Sequence, residues 1–546
     1  MPSRGWRTGR GVKAMWRSPH RLAVVGRAVV ATFASLTLAA CAACGVPVPA
    51  GAADDPGQLA LVSTQRLDAR LVELVFRTGD LASDTHVRIL YPDGYEAQPT
   101  RRYPVLYLLH GCCDDYTSWT RSGEAKALTA NRPLIVVMPD AGQSGFYSDW
   151  YNFSAFGPPR WEDYHVNQLI PWVDAHLRTI AERRGRALAG LSMGGFGAMS
   201  YAARHPDLFI AAASFSGAVD TNDAASGQVM GGLNMLDAAP PDSVWGPRAT
   251  EEVRWRDYNP WDLAGNLAGL QLTLRTGNGM PGGPYDQTGQ VDPVTTGLEA
   301  GVYQQNVSFH QRLVSIGLPH VWDDYGPGTH TWPYWVRDLK QTLPDLMKAF
   351  ANPPKPPVPF TYTTAEPAYS VYGWSVSMHR TAMEFSHLRA VQPSGFELAG
   401  SGSADVVTAP WYRPNELYQV TIGSDNATSV LLRSDGSGRL SMKVPLGPAN
   451  AAQQYTPQAT LTTQVYTNAV RIEGPGVDNR PAIAPPGAPP APAAAGLKLP
   501  ATGTAAGVIL VGLLPLAAGL LLRAALVGSG RRREPLVGLP EKTLVG

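Results

Sequence analysis

A mostly parallel α/β sheet wrapped by helices, followed by a small all-β sandwich, is the fold this sequence predicts, and three observations predict it. Apolar β-type runs alternate with longer amphipathic stretches up to about residue 350, a proline-rich break follows, and beyond it only short alternating runs remain. At 546 residues the chain exceeds one ordinary domain, which fits one large and one small folded unit flanked by tails.

The elements follow in chain order. Residues 1–52 have the order of a secretory signal peptide: Arg/Lys-rich through Arg27, apolar over 28–43, then small residues, with cleavage expected after Ala52. Leu38-Ala39-Ala40-Cys41 also resembles a lipobox, which would leave Cys41 acylated. Residues 53–350 form the expected catalytic domain. Runs at 71–77 and 86–91 predict an opening antiparallel pair, and strands are expected at 103–109, 134–138, 187–191, 210–214 and 270–275. The later runs are nearly all apolar, as strands covered on both faces are. Helices are expected at 162–180, 193–204, 296–316 and 333–350. Residues 351–360 open with ANPPKPPVP, a stiff linker. Residues 361–473, with alternating runs at 372–378, 417–422 and 440–444, predict the accessory β-sandwich.

A Pro/Ala/Gly stalk over 474–498 cannot bury a core. It leads into a sorting segment, 499–546. There Leu499-Pro500-Ala501-Thr502-Gly503 resembles the sortase recognition motif, and the apolar stretch 504–522 precedes Arg523, Arg531, Arg532 and Arg533. About 20 apolar residues suffice to cross a hydrocarbon core, and trailing arginines halt translocation. The expected destination is the cell envelope, with a sortase-type enzyme as processing partner.

Lys+Arg of 45 against Asp+Glu of 44 gives a formal charge of +1, and no basic stripe with interleaved aromatics is present, which excludes nucleic acid as an expected partner. Removal of both ends would leave Cys112 and Cys113 alone. Adjacent Cα atoms lie about 3.8 Å apart, below the usual disulfide range, so free thiols are expected there.

Gly190-Leu191-Ser192-Met193-Gly194 fits G-x-S-x-G between an apolar strand and a helix of small residues, the setting of a nucleophile elbow in an α/β-hydrolase fold. A serine hydroxyl needs a base, and chain order in this fold places the base last. His330, in Gly328-Thr329-His330-Thr331-Trp332, is the candidate, with His320 as competitor. The carboxylate that orients the imidazole should fall between them. Thr276-Gly277-Asn278-Gly279 offers none, and Asp286, Asp292 and Glu299 stay open on the residues alone. The backbone N–H of Met193 should supply one oxyanion donor, and the loop His110-Gly111-Cys112-Cys113 the other. The chemistry needs no metal or cofactor: the expected reaction is a ping-pong transfer through an acyl-enzyme, with a lipid or other acyl ester as substrate.

Residues 142–151 (GQSGFYSDWY), Gly190–Gly194, Gly277-Asn278-Gly279, Leu298-Glu299 and Thr329-His330-Thr331-Trp332-Pro333-Tyr334-Trp335 together resemble the antigen 85 family of mycolyltransferases, within the wider esterase D-type group, over roughly 103–350. The resemblance implies Glu299 as third member of the triad, Cys112 as the second oxyanion donor, and a site for acyl esters that Trp332 would help to line. It implies acyl transfer of the mycolyl or diacylglycerol type. Where that family carries an aspartate and an arginine to hold trehalose, this chain has His110 and Cys113, which argues against a sugar held by charged groups. Plain ester hydrolysis is the alternative. An alternative of another class is a wall adhesin whose sandwich binds a ligand while the hydrolase is secondary. The tryptophans Trp245, Trp255 and Trp261 would either roof an acyl chain or pack a flap.

Overall fold

β-branched and aliphatic residues dominate the runs that become β4 (Val105–Leu109), β5 (Ile135–Pro139), β6 (Arg186–Leu191) and β7 (Ala211–Phe215), and every residue of these four strands is buried. Each fully buried Val, Leu or Ile side chain contributes about 1.5–3 kcal/mol, so these strands can only lie at the centre. They do so in a computed structural model that describes residues 59–477 apart from 153–158, 287–290 and 424–426. The expected signal peptide, Cys41, nearly all of the stalk and the sorting segment with its 504–522 span lie outside the described residues. Among the described ones, no helix is long and apolar enough to cross a membrane.

With β1 (Ala60–Arg66), β2 (Leu71–Arg77), β3 (Thr85–Leu90), β8 (Gln271–Thr276) and β9 (His320–Asp324), these strands form one sheet in the order β1-β2-β3-β5-β4-β6-β7-β8-β9. The first three strands and the β3–β5 junction are antiparallel, and every pairing from β5 to β9 is parallel. This is the expected mostly parallel sheet of an α/β-hydrolase fold. Helices Met193–Arg204, Pro293–Ser315 and Trp332–Ala351 match expectation within a few residues.

Two local expectations are corrected. β1 was not expected, because its sequence ALVSTQR gives no apolar face, and in the structure all of it is exposed at the sheet edge. The helix expected over 162–180 runs instead from Trp161 to His176: it opens with the α-helical residues Trp161–Asp163, widens to a π-helical segment at Tyr164–Leu169 and closes as the α-helix Ile170–His176. Pro171 has no N–H to donate into the preceding turn, and the ladder widens just before it. Beyond His176 the chain leaves the helix to pair with Tyr103, whose N–H donates to Arg178 O and whose O accepts from Ile180 N.

The C-terminal strands form two antiparallel sheets. With β10 at Phe360–Thr364, β11 at Ala368–Val371, β12 at Trp374–His379, β13 at Ser386–Gln392, β14 at Gly395–Gly400, β15 at Gly402–Val407, β16 at Leu417–Ile422, β17 at Thr428–Arg433, β18 at Ser441–Leu446 and β19 at Tyr466–Glu473, one runs β10-β13-β14-β19-β16-β17 and the other β11-β12-β15-β18. Trp374, Val376, Val406 and Val444 from one sheet share a core with Leu388, Leu398, Val420 and Ile472 from the other, so the two faces close a sandwich. β10 also lies against the hydrolase. Tyr362 Oη donates to Arg204 O at 2.7 Å, Ala365 N to Asp257 Oδ1 at 2.7 Å, and Thr363 N to Asn266 Oδ1 at 2.8 Å.

Candidate active site

The elbow is built by close approach. After β6 the chain reverses at Ser192, whose φ of 52° and ψ of −119° no β-strand or helix adopts, and the helix Met193–Arg204 starts at once. A Cβ on Gly190 would overlap the carbonyl of Gly194, and one on Gly194 would overlap the backbone oxygens of Leu109 and His110. Only glycine at both places lets this helix sit so near β6 and β4. Ser192 N donates to Phe215 O at 2.9 Å, which ties the turn to β7.

His330 Nε2 lies 2.9 Å from Ser192 Oγ, and His330 Nδ1 lies 2.6 Å from Glu299 Oε2. The carboxylate can only accept, so Nδ1 carries the proton and Nε2 turns its lone pair to the serine hydroxyl. Glu299 is wholly buried. Its other oxygen accepts from Ser216 Oγ at 2.7 Å, Gly277 N at 2.8 Å and Thr276 Oγ1 at 3.2 Å, so the charge is desolvated but hydrogen-bonded on both sides. His330 N donates to Thr295 O at 3.1 Å, which fastens the histidine loop to the first turns of the helix that carries Glu299.

The other candidates have different partners. Asp286 accepts from Gly282 N, Gly283 N and the Thr329 hydroxyl, and Asp292 caps the helix Pro293–Ser315 through Val294 N. His320 is engaged with His310 at 2.8 Å and with Leu318 O.

Residue Gly111 puts the loop His110–Cys113 beside the serine: a Cβ there would overlap Leu191 and come within 3.3 Å of Ser192 Cβ. Among the described residues, neither Cys112 N nor Met193 N has a protein acceptor, so both N–H groups are free for a ligand oxygen. The loop is held by the segment 142–151. Tyr147 Oη donates to His110 O at 2.9 Å, and Cys113 N donates to Gln143 O at 2.8 Å.

The free thiols expected at Cys112 and Cys113 are absent: the two residues form a disulfide with each other. The expectation assumed an ordinary backbone, whereas Cys113 has a φ of 65°, in the left-handed region.

Residue His110 turns away from the site. It is 1% exposed, its Nδ1 lies 2.8 Å from Gly111 O, and its Nε2 accepts from Ala141 N at 3.0 Å. Burial would lower its pKa, but the Asp140 carboxylate 3.4 Å away outweighs that and raises it above the ordinary histidine value. Trp332 begins the helix after His330. Its ring packs edge-on against Trp119 and Trp335, and Trp335 in turn stands edge-on to His330 at 5.0 Å. The tryptophans of the 220–269 region pack rather than roof. Trp245 is buried among Phe146, Phe196 and Trp255, and its Nε1 donates to Ser148 Oγ at 3.0 Å.

Sequence reasoning missed Ser216, Thr276, Gly277, Gln143 and Tyr147 as supports of the site. Ser216 follows a strand directly and Gly277 sits in the quoted motif, but which carboxylate or carbonyl each would meet is set only by the sheet order.

Residues 78–346 match the Esterase family. The esterase Rv1288 of Mycobacterium tuberculosis is 34% identical over 279 residues, which cover 50% of this chain and 58% of that protein, so this chain spans less than two thirds of its length. The Ag85B protein of Mycobacterium leprae, a diacylglycerol acyltransferase/mycolyltransferase, is 34% identical over 264 residues, 46% of this chain and 78% of the relative. Among solved structures, that of MPT51 from Mycobacterium tuberculosis is 24% identical with a TM-score of 0.41, over 49% of this chain and 94% of that one. With more than three quarters of an Ag85 relative aligned at this identity, the chain belongs to the family of Ag85-like esterases and acyltransferases.

Proposed function

We propose that the protein is a serine esterase or acyltransferase that cleaves acyl esters through an acyl-enzyme on Ser192. The observation that carries this reading is the continuous line from Ser192 Oγ through His330 to Glu299, at 2.9 and 2.6 Å. His330 Nε2 takes the hydroxyl proton as Oγ attacks the ester carbonyl, and Glu299 stabilises the imidazolium that forms. The N–H groups of Met193 and Cys112 meet the oxyanion. His330 then gives the proton to the departing alkoxide, and a water or alcohol repeats the steps in reverse.

Hydrolysis is supported by the environment of the loop. His110 faces inward and Cys113 is tied to Cys112, so neither position offers a charged group to a sugar acceptor. Transfer to an alcohol of the diacylglycerol or mycolyl type is the second reading, favoured by the kinship to Ag85B. The segments at 1–52 and 499–546 support export and attachment to the cell envelope through a sortase-type enzyme. Trp332 is proposed to border the acyl site.

Two measurements test this. Mass spectrometry of products from a panel of lipid esters, with and without trehalose or diacylglycerol, separates free acid from transferred acyl group. Ser192→Ala is expected to abolish labelling by a fluorophosphonate probe while leaving the melting temperature unchanged. Labelling that persists would remove Ser192 from the nucleophile's role.

A further inference from the structure

We propose that His110 is a positioning residue of the oxyanion site: its Nδ1–H holds the orientation of the Gly111–Cys112 peptide group, and with it the aim of the Cys112 N–H. The inference rests on the reading of Cys112 N–H as an oxyanion donor.

This peptide is trans, so it is planar with its C=O and N–H pointing to opposite sides, and whatever fixes the direction of Gly111 O fixes that of Cys112 N–H. Among the described residues the donor to Gly111 O is His110 Nδ1, at 2.8 Å, and no other group donates to it. The neighbouring restraints act on other peptide groups. Tyr147 Oη, at 2.9 Å from His110 O, holds the one before, and Gln143 O, at 2.8 Å from Cys113 N, holds the one after. The chain itself leaves the plane between them loosely determined, because the residue that opens it is a glycine, with the least restricted backbone rotations. Crowding of Gly111 against Leu191 and Ser192 fixes where the loop passes, not how the peptide beyond it is turned.

Both ring nitrogens of His110 are assigned by their partners. Gly111 O can only accept, and Ala141 N–H can only donate, to His110 Nε2 at 3.0 Å, so the neutral ring carries its hydrogen at Nδ1. A second proton would go to Nε2, on the side of the Asp140 carboxylate 3.4 Å away, and would leave Nδ1–H in place. The ring is 1% exposed and has no solvent to turn to. Its support comes from the sheet: Asp140 and Ala141 directly follow β5, Asp140 N donates to His86 O of β3 at 2.9 Å, and Asp140 O accepts from His165 Nε2 at 2.9 Å. A line from the end of β5 through the imidazole to Gly111 O thus sets the one peptide of the loop that must be aimed before the reaction, since an oxyanion donor acts through preorganisation.

The test uses the full chain with a chromogenic short-chain ester and two variants of equal shape. In His110→Asn the amide Nδ2 stands near the place of Nδ1 and can donate to Gly111 O, whereas in His110→Leu nothing can. His110→Leu is expected to lower kcat at least about tenfold with KM within about twofold, while His110→Asn stays within about threefold of the wild-type kcat. A trifluoromethyl ketone, which adds to Ser192 as a tetrahedral oxyanion, should lose affinity for His110→Leu by the same factor as kcat. A histidine that only fills space would slow or spare both variants alike. A His110→Leu protein with the wild-type kcat therefore overturns the proposal, as do equal losses in the two variants or a change confined to KM. Nitrogen NMR of the unaltered, histidine-labelled chain reads the ring directly, with the His110 signal identified by its absence from His110→Asn. A hydrogen on Nδ1 is expected, and a ring without one overturns the proposal whether or not His110→Leu folds. If the unaltered protein neither cleaves the ester nor labels at Ser192, the esterase reading fails instead.

Discussion

Glu299 has two tasks that pull on different atoms. One oxygen accepts three donors from Ser216, Thr276 and Gly277, while the other faces His330 Nδ1. In Glu299→Gln the side-chain oxygen must stay with the three donors, which turns the amide NH2 toward His330. Nδ1 then becomes an acceptor, the proton moves to Nε2, and the ring can no longer take the proton of Ser192. We expect kcat to fall about 10⁴-fold with the fold intact, measured by ester turnover beside a thermal melt. A variant that keeps its rate would show that the carboxylate only fills space. Ser192 and His330 were legible from a motif and from chain order. Glu299 was not separable from Asp286 and Asp292 by residue type, and only the resemblance singled it out. The reason is physical: all three are acidic side chains near one loop, and their hydrogen-bond partners differ only once β7, β8 and the histidine loop have been brought together.

The helix Met193–Arg204 joins the elbow at one end to a buried ion cluster at the other. Arg204 pairs with Glu162 at 2.7 Å, Asp257 at 2.7 Å and Glu366 at 2.9 Å, and Glu162 also accepts from His205 at 2.8 Å. Arg204→Ala would leave Asp257 buried without a counter-charge and Glu162 with His205 as its one remaining partner in this cluster. It should cost about 3–5 kcal/mol in denaturant unfolding at neutral pH. Burial opposes the charge on Glu162, yet Arg204 and His205 outweigh it and hold its pKa down at about 2, from an ordinary 4.5. A depressed carboxylate pKa adds stability that is fully present above the unfolded value and is lost as pH falls through the folded one. The unfolding free energy should therefore drop by about 3 kcal/mol between pH 4.5 and 2, and Glu162→Gln should flatten that slope. At this scale the sequence was informative where burial is uniform, as in β4 to β7. It was silent for β1, which has no buried face, and at 162–180 it showed the helix but neither the π-helical stretch before Pro171 nor the end at His176.

The sandwich and the hydrolase meet over β10, and the contacts complete groups that the hydrolase cannot satisfy alone. Arg204 O, Asp257 and Asn266 all take partners from residues 362–366. A chain cut after Ala351 should therefore leave Asp257 and Asn266 short of hydrogen bonds. We expect the shortened hydrolase to melt at least several degrees lower, and the two parts of the longer chain to unfold in one calorimetric transition. Two separate transitions, or an unchanged melting temperature, would mean that the contact is incidental. The change of pattern near residue 351 was visible in the sequence, and so was the all-β character beyond it. The docking was not, because Arg204 and Glu366 are distant along the chain and carry no mark of each other.

Taken alone, the sequence determined the α/β class, the apolar strands, the sharp turn at Ser192 and His330 as the candidate base, because periodicity, glycine placement and chain order are local or ordered properties. Tertiary structure decided which acid faces the histidine, that His110 turns inward, that Cys112 and Cys113 join, and that a second domain caps the buried Arg204. Each of these depends on the distance between groups remote in the chain or on a backbone rotation at one residue, and neither quantity is written in residue type.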